Sequence, residues 1–322
     1  MKLRRIYLIL LPLLMLTMAA GLCFGSAPLS FSELAALKGP ARTILLDIRL
    51  PRVLAGALAG VGLSTAGVLL QTVTANDLAS PNIIGINSGA GLAVILMLTF
   101  APGAGTWLPL GAFCGAFGAA LVILAAGSRL GSSRSGILLI GIAITTLFNA
   151  VISFLSLLDE GILAQYNHFT VGSLRAIRLG ELLVPGIIIL AGFCTALALS
   201  GRLNVLCLGD AAAAALGIRV RGLRVAAMAC AAACAAAVVS FAGLLGFVGL
   251  VVPHIARALV GERPGKLIPV SALVGGILVI LADLLGRTLF APSELPVGIL
   301  MSLIGAPYFL ILLVRRKHHA GN

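Results

Sequence analysis

Residues 206–224 read LCLGDAAAAALGIRVRGLR and lie between two long apolar segments. Asp210 can cap a helix by accepting hydrogen bonds from its free N–H groups, and Gly217 can adopt the left-handed conformation that ends a helix. The helix between them would have about two turns, which is too short to be stable alone in water. The surrounding arginines are typical of the cytoplasmic side of a membrane protein: Arg202, Arg219, Arg221 and Arg224. The stretch therefore predicts a membrane protein with a short cytoplasmic helix that contacts a partner.

The rest of the composition indicates a bundle of membrane-spanning helices. Of the 322 residues, 60% are apolar and 10% are charged, whereas a soluble protein has about 25% charged residues. Each span needs about 20 mostly apolar residues. Ten such segments lie near residues 6–25, 52–73, 88–100, 108–127, 136–158, 182–200, 224–242, 244–257, 268–290 and 296–314. We predict an all-α polytopic membrane protein, a single transmembrane domain over residues 1–322 with a cytoplasmic loop at residues 203–223.

The charged residues predict the orientation of these spans. With the N-terminus inside, 15 of the 22 Lys and Arg residues fall on the inner side and 7 on the outer side. The ten acidic residues divide into three inside, six outside and one within a span. This asymmetry follows the positive-inside rule, so both termini are predicted to be cytoplasmic. The net charge of +12 then reflects the orientation of the spans in membrane lipid, and no aromatic-interleaved basic patch indicates nucleic acid as a partner.

Other local patterns predict neither a cleaved leader nor a chemical centre. The basic N-terminus and its apolar run resemble a signal peptide, but the run is about 20 residues long and more spans follow, so we expect an uncleaved first span. No cysteine pair has C-x-x-C spacing, and no G-x-x-x-x-G-K-[ST] loop or catalytic triad occurs. The sequence predicts no enzyme activity, metal or cofactor, and any ATP would be hydrolysed by another subunit.

Two arginines flank a proline at the outer end of the second predicted span, in the run Arg49-Leu50-Pro51-Arg52. Proline suits the first turn of a helix, so both arginines lie at one helix mouth. Snorkelling of their side chains to the membrane interface is one interpretation. Because positive charge is disfavoured on the outer side, a docking site for acidic residues of another protein is the sharper interpretation.

The run QTVTANDLASPNIIGINSGAG at residues 71–91 is too polar to face lipid, yet too apolar and glycine-rich for a free loop. Irregular backbone at membrane depth is tolerated where it is buried in protein or lines a cavity. We interpret the run as the cytoplasmic end of a pathway, with a constriction at Asn76, Asp77 and Leu78. A simple cytoplasmic turn is the alternative.

Asp283 lies within the ninth predicted span, four residues before Arg287. Residues at this spacing share a helix face and can form an ion pair. A charged residue within a span is a functional candidate by default. Its place near the outer end favours a structural pair, although a proton-coupled transporter could use such an acid.

Five motifs in order resemble the FecCD-type permease subunits of bacterial ABC importers for iron–siderophores, haem and vitamin B12. They are RLPR at residues 49–52, Q…N-x-LASP-x-x-x-G-x-N-x-GA at 71–90, LGDAAAAALGI at 208–218, GFVGLVVPHIAR at 246–257 and LADLLGR…ELPVG…GAP at 281–307. The resemblance covers residues 45–314, nearly the whole chain. It is specific because five separated motifs occur in the family's order.

The resemblance implies a dimer of permease subunits, two cytoplasmic ATPase subunits beneath it and a periplasmic or lipid-anchored substrate-binding protein above it. It implies that Arg49, Arg52 and Arg287 receive acidic residues of the binding protein. It also implies that Asn76 and Leu78 belong to the cytoplasmic gate. The surface that couples to the ATPase is then a set of six residues: Gly209, Asp210, Ala213, Leu216, Gly217 and Ile218.

Two positions depart from the family pattern. The family usually has proline after the gate asparagine, whereas this chain has Asp77, which would change the local backbone and charge. The residue after Gly209 is often glutamate in the family, and here it is Asp210.

We therefore expect ATP-driven alternating access in the cytoplasmic membrane, with a ferric siderophore as the first choice of substrate because that group dominates the family. Haem and cobalamin stay open, since selectivity depends largely on the binding protein. Whether the dimer contains two copies of this chain or a homologue is also open. An ion-coupled secondary transporter, and an exporter or assembly scaffold on the same bundle, are the alternatives from other classes.

Overall fold

The computed structural model describes residues 3–27, 38–129 and 134–320, and in these ranges the chain is helical without strands. Its main α-helices are α1 (Leu3–Cys23), α2 (Leu50–Thr74), α3 (Ile86–Phe100), α4 (Leu108–Arg129), α5 (Arg134–Ser156), α6 (Glu160–Val171), α7 (Leu183–Leu206), α8 (Asp210–Ala215), α9 (Val220–Ala242), α10 (Val248–Val260), α11 (Pro264–Thr288) and α12 (Val297–Ala320). Shorter helical segments are Pro40–Thr43, Ile44–Arg49, Gly105–Trp107 and Leu179–Leu182.

The apolar helices match the ten predicted spans one to one. Seven helical stretches among the described residues are long and apolar enough to cross a membrane. Three further apolar helices are shorter, namely α3, α10 and the part of α12 at Val297–Ile311. The all-α polytopic class is therefore confirmed.

The start of α10 differs from the prediction, because the helix begins four residues after residue 244. Gly243 has a φ of 68°, so the chain leaves the helical conformation there. Neighbouring backbone satisfies the freed groups: the Leu244 N–H donates to the Phe169 carbonyl at 3.2 Å, and the Ser173 N–H donates to the Ala242 carbonyl at 2.9 Å. Buried backbone groups need such partners, so this irregular connection depends on the segment around residues 169–173.

Helix α6 lies between the fifth and sixth predicted spans, at residues for which no helix was predicted. Asp159 is its N-cap, and the carboxylate accepts hydrogen bonds from the Gly161 and Ile162 N–H groups at 2.6 and 3.4 Å. The pair Asp159-Glu160 is an N-terminal helix signal that sequence reasoning missed, because the apolar run that follows is too short for a span.

Helix α2 lies at the centre of the bundle, where it packs against α1, α7, α9, α10 and α11. Glycines permit backbone contact on two of these faces. A Cβ atom at Gly60 would overlap the Gly275 carbonyl of α11, and one at Gly67 would overlap the Gly249 carbonyl of α10. Helices in lipid associate by close van der Waals packing instead of by the hydrophobic effect, which is why small residues line such contacts.

A second group of helices is joined to α2 through α9. Helix α3 packs against α4, and α9 contacts α2, α4 and α7. Gly89 of α3 and Gly115 of α4 lie backbone to backbone, since a Cβ at either one would overlap the other's carbonyl group. The bundle is therefore held by backbone contacts at three helix interfaces, two on α2 and one between α3 and α4.

We expect Gly67→Ala to lower stability by about 1–3 kcal/mol, because the new methyl group would force α2 away from α10 in a tightly packed interior. Gly118→Ala is the matched control, since Gly118 lies within α4 with no atom within 4 Å of an added Cβ. The unfolding temperature of the purified protein in detergent measures both. Equal unfolding temperatures for the two variants would contradict the close α2–α10 contact.

Candidate functional site

Three buried arginines lie together at the outer end of α2 and α11, and we call them the outer arginine cluster: Arg49, Arg52 and Arg287. Their exposed fractions are 3%, 6% and 2%. Arg49 is the last residue of the π-helical segment before α2, and Arg287 lies in the last turn of α11. The structure thus brings together the three residues that the resemblance assigned to docking, although they are 238 positions apart at the extremes.

Arg49 closes the end of α1. Its guanidinium donates to the carbonyls of Leu22 and Cys23 at 2.8 and 2.7 Å and to that of Ala27 at 2.6 Å. The last carbonyls of a helix have no partner within the helix and carry partial negative charge, so a cation there is stabilising. Arg49 therefore fixes the first span to the start of α2.

Arg52 joins two carboxylates from distant parts of the chain. Its Nε lies 2.9 and 3.0 Å from the two oxygens of Asp283, and its Nη1 lies 2.8 Å from Glu294. Asp283 also pairs with Arg287, whose Nε is 3.6 Å away, and a second Arg287 nitrogen donates to the Gly21 carbonyl. The predicted Asp283–Arg287 ion pair is present, but Arg52 is the closer partner.

Glu294 has a depressed pKa in this arrangement. Burial by itself raises the pKa of Glu294, but hydrogen bonds from Ser26 and Arg52, together with the charges of Arg52 and Arg175, bring it below the usual value. The Ser26 hydroxyl donates to Glu294 Oε1 at 2.6 Å. Glu294 is thus the outermost member of the network, with its side chain 14% exposed against 4% for Asp283.

These contacts change what docking would require of the outer arginine cluster. Each guanidinium already has partners within the chain, and none is open to solvent. A carboxylate from another protein could pair with Arg52 only by taking the place of Glu294 or Asp283. The docking role stays a prediction, with an exchange of ion-pair partners as its physical condition.

At the inner end of α2, the residues predicted as a gate form a tight turn. The helix ends at Ala75, which has a left-handed φ of 48°. Asn76 stabilises the turn through its side-chain oxygen, which accepts a hydrogen bond from the Leu78 N–H at 2.9 Å. Leu78 is 36% exposed. The turn presents an apolar side chain at the inner end of the bundle.

Asp77 is held by Arg257 of α10. The Asp77 carboxylate lies 3.2 Å from Arg257 Nη1, close enough for charge pairing without the alignment of a hydrogen bond. Arg257 Nη2 donates to the Gln71 side chain at 2.6 Å, and the Gln71 amide donates to the Gly249 carbonyl at 3.4 Å. The turn is therefore tied to α10 by a cation that contacts both α2 and Asp77. Sequence reasoning singled out Asp77 but missed Arg257 as its partner.

The short helix α8 has the predicted position but a different N-terminus. Gly209, with a φ of 105°, is its N-cap, so the prediction that Asp210 is the capping residue is wrong. A positive φ strains any residue other than glycine, so Gly209 takes the cap position, one residue before Asp210. Asp210 instead accepts two hydrogen bonds of 2.7 Å from Arg224 Nη2. This pair ties the start of α8 to the start of α9.

The end of α8 agrees with the sequence. Gly217 has a φ of 79°, the left-handed conformation that was predicted, and its N–H donates to the Ala214 carbonyl at 2.9 Å. Ala213 is fully buried, whereas Leu216 is 65% exposed and Leu208, before the helix, is 70% exposed. Helix α8 thus carries an exposed leucine at each end. Leu208 was not predicted as part of this surface.

We expect Arg257→Gln to loosen the turn at residues 75–79, because Asp77 loses its cation. The pair is partly exposed, so the contribution is about 1 kcal/mol, and the amides of the turn should exchange with deuterium about fivefold faster. Asp77→Asn should have the same effect. Arg263→Gln removes a cation at the start of the next helix, α11, and is the control. Unchanged exchange in both test variants would contradict the role of the pair.

We expect the contribution of Glu294 to depend on pH. A carboxylate with a depressed pKa stabilises the folded state fully above its unfolded pKa of about 4.3, and the stabilisation is lost as pH falls through the lower folded value. Glu294→Gln should therefore unfold at a lower temperature than the wild type at pH 7, with the difference vanishing only below pH 4. Glu262→Gln, at an exposed carboxylate, should match the wild type at every pH. A Glu294 effect that is the same at all pH values would contradict the ion-pair account.

Comparison with known proteins agrees with the motifs and with the geometry. The model of the FecCD transport family matches residues 13–315. The iron(3+)-hydroxamate import system permease protein FhuG of Bacillus subtilis is 38% identical, covering 90% of this chain and 89% of the relative. The hemin transport system permease protein HmuU of Yersinia pestis is 39% identical, covering 85% of this chain and 84% of the relative.

Among solved structures, an ABC transporter of metal-chelate type in an inward-facing conformation superposes with a TM-score of 0.89 and 31% identity. The match covers 97% of this chain and 99% of that one. The chain therefore belongs to the FecCD transport family and is a multi-pass permease subunit of a metal-chelate type ABC importer in the cytoplasmic membrane, a transport component and not an enzyme.

Proposed function

We propose that this permease moves a ferric siderophore inward, driven by two cytoplasmic ATPase subunits and supplied by a binding protein on the outer side. Two permease subunits, with the pathway on their common axis, would form the channel. The relative named for hydroxamate-bound iron supports this substrate, because it aligns with nearly the whole chain. The relative named for hemin makes haem the second candidate, and cobalamin is the third. Family membership favours this importer over an ion-coupled transporter that uses Asp283.

The exposed leucines of α8 are the observation that carries the ATPase-driven part of the proposal. Leu208 and Leu216 are exposed at the two ends of a six-residue helix. Exposing these apolar side chains to water is unfavourable unless a partner covers them. Ala213, on the same helix, is fully buried, so this part of α8 packs against the bundle. Two apolar contacts on a short fixed helix fit a groove on another protein. In this proposal α8, from Gly209 to Ile218, receives the movement of the ATPase.

The turn at Asn76, Asp77 and Leu78 is proposed as the cytoplasmic gate. Two observations support this role. The turn lies at the end of α2, and the ion pair between Asp77 and Arg257 connects it to α10, so the turn can move when α10 moves. A partly exposed ion pair can break and re-form at modest cost, whereas a buried pair cannot. The gate would open when α10 moves relative to α2.

The outer arginine cluster is proposed as the docking site of the binding protein. Glu294 is the exchangeable partner of Arg52, because it is the more exposed of the two carboxylates. An acidic side chain of the docked protein would replace Glu294 and leave the Arg52–Asp283 pair intact. Docking would then release the loop between α11 and α12 at the outer mouth.

We expect Leu216→Asp to abolish ATPase stimulation and transport in proteoliposomes that contain the complete importer. The substitution places a charge on a side chain with little packing in the bundle, so the fold should persist while the apolar contact is lost. Leu259→Asp, at an exposed leucine in the last turn of α10, is the control and should retain most of the activity. Uptake of labelled ferric siderophore and phosphate release are the measurements.

Full transport by the double variant Asp210→Lys, Leu216→Asp would contradict coupling through α8. Ferric hydroxamate, ferric catecholate, haem and cobalamin are to be compared as substrates in the same vesicles with the cognate binding protein. Uptake of haem or cobalamin in preference to every ferric siderophore would contradict the proposed substrate and leave the coupling result unaffected.

A further inference from the structure

A cavity of about 400 Å³ lies between the cytoplasmic ends of α7 and α9, beside the coupling helix α8. Its base is apolar, formed by Leu199 of α7 together with Leu223 and Ala226 of α9. Its mouth carries two cations, Arg202 of α7 and Arg219, which directly precedes α9, and Gly217 and Ile218 at the end of the coupling loop also line it. The lining thus changes from apolar to cationic along one direction.

The two arginines at the mouth are the exposed, unpaired cations of this region. Both side chains are exposed, and neither makes an ion pair with any residue that the structure describes. Two other arginines at this end of the bundle are occupied: Arg224 is bound to Asp210, and Arg257 is paired with Asp77. Cations left without a carboxylate at an open cavity call for an anion from outside the chain.

The level of the cavity in the membrane indicates what kind of anion that is. Arg202 lies four residues before the end of α7, and Arg219 lies just before the start of α9, so both are at the inner boundary of two spanning helices. Anionic phospholipids are concentrated in the cytoplasmic leaflet and are attracted by basic residues at this level. Arginine suits a phosphate diester because its planar group can form two parallel hydrogen bonds to the oxygens.

We propose that this cavity binds one anionic phospholipid of the cytoplasmic leaflet. Arg202 and Arg219 would hold the head-group phosphate, and the first part of an acyl chain would lie against Leu199 and Ala226. The apolar base favours a lipid over free phosphate, which would leave that wall in contact with water. The apolar base also favours a lipid over an acidic loop of the ATPase. Such a loop would have to extend past the cytoplasmic end of α7 toward the membrane to reach Leu199.

A lipid in this position would act on the coupling helix. Arg202 belongs to the helix before α8 and Arg219 to the connection after it, so one phosphate would bridge both ends of the loop. The Asp210–Arg224 pair ties the start of α8 to α9. The lipid would add a phosphate bridge between α7 and the start of α9 and hold α8 at a fixed angle to the membrane.

The test is native mass spectrometry of the full-length permease in detergent, titrated with dioleoylphosphatidylglycerol or dioleoylphosphatidylcholine. The wild type should retain one phosphatidylglycerol molecule more tightly than further copies and more tightly than phosphatidylcholine. Arg202→Gln with Arg219→Gln should weaken this molecule about 25-fold, since each basic residue near an anionic lipid contributes about a factor of five. The matched control is Arg263→Gln with Lys266→Gln, which removes two exposed charges from the same end of the bundle.

A second variant separates the cavity from its charge. Gly222 lines the cavity, and only the Arg219 Cβ, 4.0 Å away, lies near an added Cβ, so Gly222→Leu would place its side chain in the cavity. It should also remove the tight lipid molecule, although both arginines are retained. Gly201→Leu is its control, because Gly201 lies in α7 with open space around it and outside the cavity. Unfolding temperatures show that each variant is folded.

Several results would overturn the proposal. One is a wild type without a tighter phosphatidylglycerol molecule, and another is equal weakening by the charge control. Displacement of the lipid by millimolar inorganic phosphate would assign the arginines to a free anion. Loss of ATPase co-purification by the arginine variant, with lipid binding unchanged, would assign them to the partner protein. Because lipid is counted on the permease alone, these results do not depend on the proposed substrate or on transport.

Discussion

The backbone contacts of α2 are the constraint on which the structure depends. Lipid gives helices no hydrophobic reason to associate, so the bundle is held where glycines let main chains touch. Gly60 against α11 and Gly67 against α10 place three helices at contact distance, and α2 cannot shift without losing both interfaces. At 25 residues and about 1.5 Å per residue, α2 is a rod of about 37 Å. The outer cluster and the inner turn lie at its two ends, so their separation is fixed by the packing between them.

The two ends of this rod differ in the strength of their ion pairs. The Arg52–Asp283 pair is almost completely buried. Removing one partner of such a pair costs about 3–5 kcal/mol, because the remaining charge is buried without a counter-ion or solvation. Asp77 is 33% exposed, and its bond to Arg257 is correspondingly weaker. The outer end is therefore built to keep its arrangement unless another carboxylate replaces one of its own. The inner end has the weaker ion pair and can rearrange at lower cost.

Composition and motif order were sufficient to predict the ten apolar helices and the short helix α8, because apolar length and glycine stops are local properties. Partners were out of reach where they are distant along the chain. Arg52 binds Asp283 across 231 positions, whereas the i+4 neighbour Arg287 was the only visible candidate. The capping role of Asp210 was predicted wrongly because the sequence offers two candidates for the N-cap position. Gly209, whose φ is positive, takes that position, and Asp210 becomes the first helical residue. The cavity at Arg202 could not be predicted from the sequence, because it depends on the space between the ends of α7 and α9.

The buried pairing of Arg52 also has a consequence for how the chain is made. Asp283 is synthesised 231 residues after Arg52, so α2 enters the membrane while its own arginines have no counter-ion. These charges lie on the outer side, at the end of the span, against the usual orientation preference. The topology of α2 must then be imposed by the basic residues at the start of the chain, Lys2, Arg4 and Arg5, which hold the first end of α1 inside. Biogenesis is completed from the far end of the chain, when α11 closes back onto the second span.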